Sequence, residues 1–256
     1  MRIGFFDSGV GGITVLYEAL KQLPQEDYIY YADTDHVPYG TKSKEDVLRY
    51  ALEAVEFMAA EGIKALVVAC NTATSIAINT LRQRYDFPIL GMEPAVKPAV
   101  EKCCSKRILV MATPLTLKEE KYQNLVTRLD HDHLVDGLAL PELVTYAEEF
   151  QFDPDEIKTY LRSRLNGYDL DQYGTVVLGC THFPYFKGIL KQLFPEGTNI
   201  IDGSAGTICY LKTVLGQRNL LSSSGQGNIL FYSSGRREPL NSRYTHYLDY
   251  LHHSKI

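Results

Sequence analysis

Two cysteines stand in matched surroundings. Residues 64–74 read KALVVACNTAT and residues 173–184 read YGTVVLGCTHFP, so Cys70 and Cys180 each follow a Val-rich run ending in a small residue, and a Thr follows each within two positions. In α/β proteins, ligands bind beyond the carboxyl ends of parallel strands, where both sulfurs are expected. A helix starting just after each thiol would favour the thiolate through its macrodipole and free N–H groups, which predicts a pKa below the free value of about 8.5. Such a sulfur can act as a base or a nucleophile near neutral pH. Asn71 and Thr72, or Thr181 and His182, can cap those helices and offer donors to an anionic ligand.

Free cysteines often do no more than fill a core. That plainer role suits Cys103 and Cys104, at a helix end beside Lys102 and Lys106, and Cys209, in an apolar stripe with Ile208, Leu211 and Leu215. The matched contexts argue against it for Cys70 and Cys180. Their separation, 180 − 70 = 110 residues, is about one domain length and predicts two similar halves facing one another.

Three further stretches offer polar groups at strand ends. Residues 7–12 read DSGVGG; the glycines let a ligand approach the backbone, and Asp7 and Ser8 project towards the same rim, with simple helix capping the lesser role open to Asp7. The stretch lacks the GK[ST] ending of a phosphate loop and the GxGxxG spacing of a dinucleotide fingerprint. Residues 33–40, DTDHVPYG, form a polar turn that can supply Tyr39 and the backbone at Gly40. Thr113 and Thr116 occupy the equivalent rim of the second half, and Glu148 reads by default as a solvated acid on a helix.

The elements that must position these groups alternate along the chain. Strands are expected at 3–6, 28–32, 65–69, 107–112, 133–138, 175–179, 199–201 and 229–232. Helices are expected at 13–23, 44–61, 73–85, 116–128, 142–150, 154–165, 185–193, 205–215 and 240–251. This βαβα pattern predicts an α/β protein of two similar domains with largely parallel sheets and an active site in the cleft between them. We place the first domain at 1–93 plus 208–256 and the second at 94–207; residues 222–227, SSSGQG, read as a flexible surface loop.

Composition sets outer bounds. With 256 residues, 45% hydrophobic and 22% charged, the chain is that of a folded protein rather than a disordered one. Its net charge, 26 − 31 = −5, gives no footprint for non-specific nucleic-acid binding, so no nucleic-acid partner is expected. No apolar run approaches the roughly 18–20 residues that cross a bilayer, and no signal peptide is evident, which predicts a cytoplasmic protein with no membrane partner. Five cysteines without a CxxC pair predict free thiols and no metal site. The 18 tyrosines, unaccompanied by tryptophan, could line an interface or fill surfaces.

Taken in order, DSGVGG at 7–12, PYG at 38–40, ACNTAT at 69–74, AT-x-x-T at 112–116 and GCTH at 179–182 resemble the glutamate racemases of bacterial cell-wall synthesis, and the resemblance covers essentially the whole chain. It implies an enzyme that interconverts L- and D-glutamate without a cofactor, works as a homodimer, and supplies D-glutamate for peptidoglycan. By the same resemblance Cys70 and Cys180 are the catalytic acid/base pair. Cys70 takes the α-proton from D-glutamate and Cys180 from L-glutamate, while Asp7, Glu148 and His182 assist. Asp7, Ser8, Tyr39, Gly40, Asn71, Thr72, Thr113, Thr116, Thr181 and His182 correspond to substrate contacts. At 140–141 this chain has Leu-Pro where the family usually has Cys-Pro, ahead of the helix that carries Glu148. The alternatives are a racemase of the same superfamily acting on aspartate or another amino acid, a hydrolase using one thiol as nucleophile, and a protein that only binds.

Overall fold

The computed structural model describes residues 1–101, 106–131, 133–239 and 242–254. Among the described residues are ten strands: β1 (Arg2–Asp7), β2 (Tyr28–Ala32), β3 (Ile63–Val68), β4 (Ile89–Gly91), β5 (Arg107–Ala112), β6 (Val135–Ala139), β7 (Tyr173–Leu178), β8 (Asn199–Asp202), β9 (Ile229–Ser233) and β10 (Arg236–Arg237). They form two sheets, ordered β10-β9-β2-β1-β3-β4 and β6-β5-β7-β8. All pairings are parallel except β9 with β10.

The two sheets repeat one plan. In the first, the chain passes from β1 to β2 on one side and returns to β3 on the other; in the second, β5, β6 and β7 do the same. Each therefore has a switch point, between β1 and β3 and between β5 and β7, which is where α/β sheets open a crevice. Phe6 lies opposite Val68 in the first pair and Met111 opposite Leu178 in the second. The backbone N–H groups of Ala69 and Gly179 then donate to Phe6 and Met111 at 2.8 and 2.7 Å. The next residues are Cys70 and Cys180. The matched sequence contexts thus reflect matched places in two half-structures.

Packing follows the period of 2 along each strand. Phe6, Ile29, Leu66 and Val68 pack with Val47, Val55, Ala77 and Leu81 of the helices Lys44–Ala60 and Asn71–Arg84. Ile3, Phe5, Tyr28, Tyr30 and Val67 face the other way, into a core that continues through Leu109, Met111, Val176 and Leu178 of the second sheet. Ile108, Val110 and Val177 close the far side. The division expected between 207 and 208 falls inside the continuous helix Ser204–Gln217.

All eight expected strands are present, and two more join them. Ile89–Gly91 and Arg236–Arg237 are too short to display a period. The helix expected at 116–128 is two, Pro114–Lys118 and Glu120–Leu129, because Glu119 between them has extended backbone. The tyrosines are not mainly surface groups: Tyr28, Tyr30, Tyr39, Tyr185, Tyr244 and Tyr247 are among the largest fully buried side chains, and each hydroxyl finds a partner. Cys103 and Cys104 lie outside the described residues.

Gly40 shows how closely the halves meet. A Cβ there would stand 2.6 Å from Thr113 Cβ and 2.9 Å from its Cγ2, inside contact distance. Gly40→Ala is expected to destabilise the protein by about 1–3 kcal/mol, the usual cost of overpacking, as read from denaturant midpoints. An unchanged midpoint would mean that the two halves do not press together at this point.

Candidate active site

Cys70 is the N-cap of the helix Asn71–Arg84: its Sγ accepts from Ala73 N–H at 3.4 Å, and its thiol donates to Ser8 Oγ at 3.8 Å. Sequence reasoning assigned that capping to Asn71 or Thr72; they are instead the first two helical residues, and the sulfur itself does it. The expected drop in the thiol's pKa is reversed. Burial pushes Cys70 up to about 12, with the negative charge of Asp7 adding to it, and the Ala73 N–H offsets only part. A negative charge on Cys180 would also oppose ionisation of Cys70.

Cys180 differs locally. No α-helix begins directly after it; a 3₁₀ turn, Phe183–Phe186, precedes the helix Lys187–Leu193, and His182 at its start makes no side-chain cap. The neighbour of this sulfur is therefore a side chain: His182 Nδ1 stands 3.6 Å from Cys180 Sγ. On its other edge, His182 Nε2 meets Glu148 Oε1 at 2.7 Å. Burial alone would lower His182, but the Cys180 sulfur and the Glu148 carboxylate outweigh it and hold the imidazolium well above the ordinary histidine range.

Glu148 is not the solvated acid its helical context predicts. Its side chain is 13% exposed. Oε1 accepts from Val10 N–H at 2.7 Å as well as facing His182, and Arg243 reaches its Oε2 at 3.2 Å. Burial would raise this carboxyl; His182, Val10 and Arg243 together hold it below the usual range. Nothing in the local sequence signals a partner 34 residues away.

Each cysteine motif reaches across to the first-strand loop of the opposite half. Thr181 Oγ1 donates to Asp7 Oδ2 at 3.0 Å, and Thr72 Oγ1 lies 3.0 Å from both Thr113 Oγ1 and Thr116 Oγ1. Asp7 is wholly buried and caps no helix; its Oδ1 takes Gly9 N–H at 3.0 Å. Burial pushes its carboxyl up to about 6, against the pull of His182, Gly9 and Thr181. Asn71 Oδ1 is buried with no hydrogen-bond partner among the described residues. Tyr39 lies against this rim, its hydroxyl on Asp33 Oδ2 at 2.6 Å, and Gly40 contacts Thr113 as described.

Two residues that sequence reasoning missed hold the 8–10 loop in place. Tyr30 OH donates to Gly9 O at 2.6 Å and Tyr185 OH to Val10 O at 2.9 Å. Tyr30 lies in the wholly buried strand β2 and Tyr185 in the buried turn Phe183–Phe186, and a buried tyrosine hydroxyl needs a partner, which is the signal available in the sequence. Cys209 also departs from expectation. Ile208, Leu211 and Leu215 form the buried face of their helix, whereas Cys209, about 100° further round, is exposed. Among the described thiols, an alkylating reagent should therefore modify Cys209 well before Cys70 or Cys180, as peptide mass spectrometry would show; earlier labelling of either buried thiol would contradict this arrangement.

Two lobes, each presenting one buried thiol at the crevice of a parallel sheet and each reaching across to the other, define an α/β protein of the paired-thiol class. The family model for Asp/Glu/Hydantoin racemase matches residues 12–208. A glutamate racemase of Halothermothrix orenii is 58% identical over 252 residues, covering 98% of this chain and 99% of its own. Glutamate racemase 2 of Bacillus subtilis is 60% identical, covering 93% and 90%. The crystal structure of the Escherichia coli glutamate racemase, in complex with L-glutamate and an activator, superposes with a TM-score of 0.81 at 30% identity over 96% of this chain and 92% of that one. The chain belongs to the Asp/Glu/Hydantoin racemase family and, within it, to the glutamate racemases.

Proposed function

We propose that the protein interconverts L- and D-glutamate by proton transfer between two thiols, without a cofactor. The observation that carries this is the equivalence of Cys70 and Cys180, which end corresponding strands beside corresponding switch points. Racemisation needs a base on one face of the α-carbon and an acid on the other, and two facing half-structures supply that symmetry. With L-glutamate, the Cys180 thiolate takes the α-proton and becomes a thiol. The electron pair passes into the α-carboxylate, and the Cys70 thiol protonates the opposite face, becoming the thiolate. With D-glutamate the roles exchange. In the first direction Cys70 must begin protonated, which suits a thiol that burial has pushed up to about 12.

The difficult step is charge development on a weak carbon acid. Preorganised donors stabilise such charge best in a site that excludes water. Ser8, Thr72 and Thr181 hydroxyls are all buried here, while Asn71 Oδ1 is an acceptor suited to the substrate ammonium group. That ammonium would also offset the burial and the Asp7 charge that keep Cys70 protonated. Thr113, Thr116, Tyr39 and Gly40 would complete the rim around the side-chain carboxylate. We further propose that 1–93 with 208–256 and 94–207 act as the two lobes, and that the enzyme works as a homodimer in the cytoplasm; light scattering tests the dimer. Among the described residues no helix is long and apolar enough to cross a membrane.

A panel of amino acids incubated with the purified protein in deuterated water, with nothing added, tests the proposal. Exchange and inversion at the α-carbon of glutamate are expected. Inversion of aspartate in preference to glutamate would establish the rival superfamily activity instead, and no inversion of any amino acid would overturn the reading.

A further inference from the structure

The last helix, Arg243–His253, reaches the site through Arg243. Its Nη2 donates to Glu148 O at 2.6 Å and to Glu148 Oε2 at 3.2 Å. One turn later, Tyr247 OH donates to Ala147 O at 2.6 Å and lies 3.2 Å from Glu148 O. Residues four apart share a helix face, so this face grips both the backbone and the carboxylate of Glu148. From there a continuous set of contacts runs inward: Glu148 to His182 at 2.7 Å, and His182 to Cys180 at 3.6 Å. Cys70 is held by Ser8 and Ala73 instead.

We propose that Arg243 is a positioning residue for proton transfer at Cys180: it fixes the Glu148 carboxylate, which fixes the His182 ring that faces the sulfur. The assignment rests on the two-thiol reading above and predicts a one-sided effect. One guanidinium nitrogen, Nη2, spans both the carbonyl and the carboxylate with its two in-plane N–H groups, a fixed arrangement that the flexible lysine ammonium only partly replaces. Because the enantiomers have equal free energies, kcat/KM must remain equal in the two directions in any variant. One-sidedness therefore appears in which proton transfer limits the rate.

Arg243→Ala is expected to lower kcat about tenfold, the kinetic equivalent of one lost hydrogen bond to a charged group, with KM little changed. The primary isotope effect on kcat/KM should rise for α-deuterated L-glutamate and fall for α-deuterated D-glutamate. Arg243→Lys should show the same pattern at smaller size. A cleft of about 470 Å³ lined by Glu148, Arg243 and Tyr247 would admit methylguanidinium, which should restore activity to Arg243→Ala but not to a Cys180→Ser control. Equal changes in the two isotope effects, absence of rescue, or loss of the folded state in both Arg243 variants would overturn the assignment in favour of a purely structural role. Failure of the unaltered protein to racemise glutamate would instead remove the underlying reading of the site.

Discussion

Cys70→Ser and Cys180→Ser are each expected to lower racemisation by about 10²–10⁴-fold, the usual worth of a positioned acid or base, while the protein stays folded. The hydroxyl fits either place. At position 70 serine is a good N-cap and can accept from Ala73 N–H as the sulfur does, so the helix Asn71–Arg84 should lose nothing. At position 180 it can still meet His182 Nδ1. What is lost is acidity, since an alcohol is hardly ever ionised near neutral pH. Circular dichroism and thermal unfolding separate this chemical loss from misfolding. Equal losses in the two variants fit a reaction that uses both thiols in every turnover; retention of most activity in either would point to one-thiol nucleophilic chemistry.

Asp7→Asn is expected to stabilise the fold while depressing activity. The Asp7 carboxyl sits at about 6 in the folded protein against an ordinary 3.8, raised chiefly by burial. A group whose folded pKa is raised contributes stability that is full below the unfolded pKa and lost as pH rises through the folded one. Here the loss spans roughly pH 4 to 6. At 1.36 kcal/mol per pH unit it amounts to on the order of 3 kcal/mol at neutral pH. Asparagine removes that cost: its Oδ1 still accepts from Gly9 N–H, and its amide can donate to Thr181 Oγ1. Urea unfolding at pH 5 and pH 7.5 should show the stabilisation growing with pH. A variant less stable than the parent at pH 7.5 would mean that Asp7 is fully paired rather than penalised. Such a penalty, retained at a site, is the usual mark of function bought against stability.

Much of the architecture was legible because strand periodicity and Val-rich runs report burial directly. The pairing of Cys70 with Cys180 was legible as well, since two copies of one local plan leave two similar sentences in the sequence. The site's electrostatics were not. Whether the Cys70 thiol is raised or lowered depends on how completely it is buried and on Asp7 from another strand, neither of which its neighbours reveal. Glu148, His182 and Arg243 come from separate segments, and only the tertiary fold brings them to within hydrogen-bond distance. Cys209 marks a different limit: one residue's offset on a helix exchanges core for solvent, and a stripe read loosely hides that offset.

The claim that two thiols work on opposite faces of one carbon is tested most directly in the first turnovers of the unaltered enzyme. L-Glutamate would be incubated in deuterated water, and the α-positions of remaining substrate and newly formed D-glutamate compared before the back reaction matters. Two bases predict D-glutamate carrying deuterium from its first appearance while the residual L-glutamate keeps its protium, and the mirror result from D-glutamate. Product that retains the original α-hydrogen would show one group serving both faces, and would contradict the account.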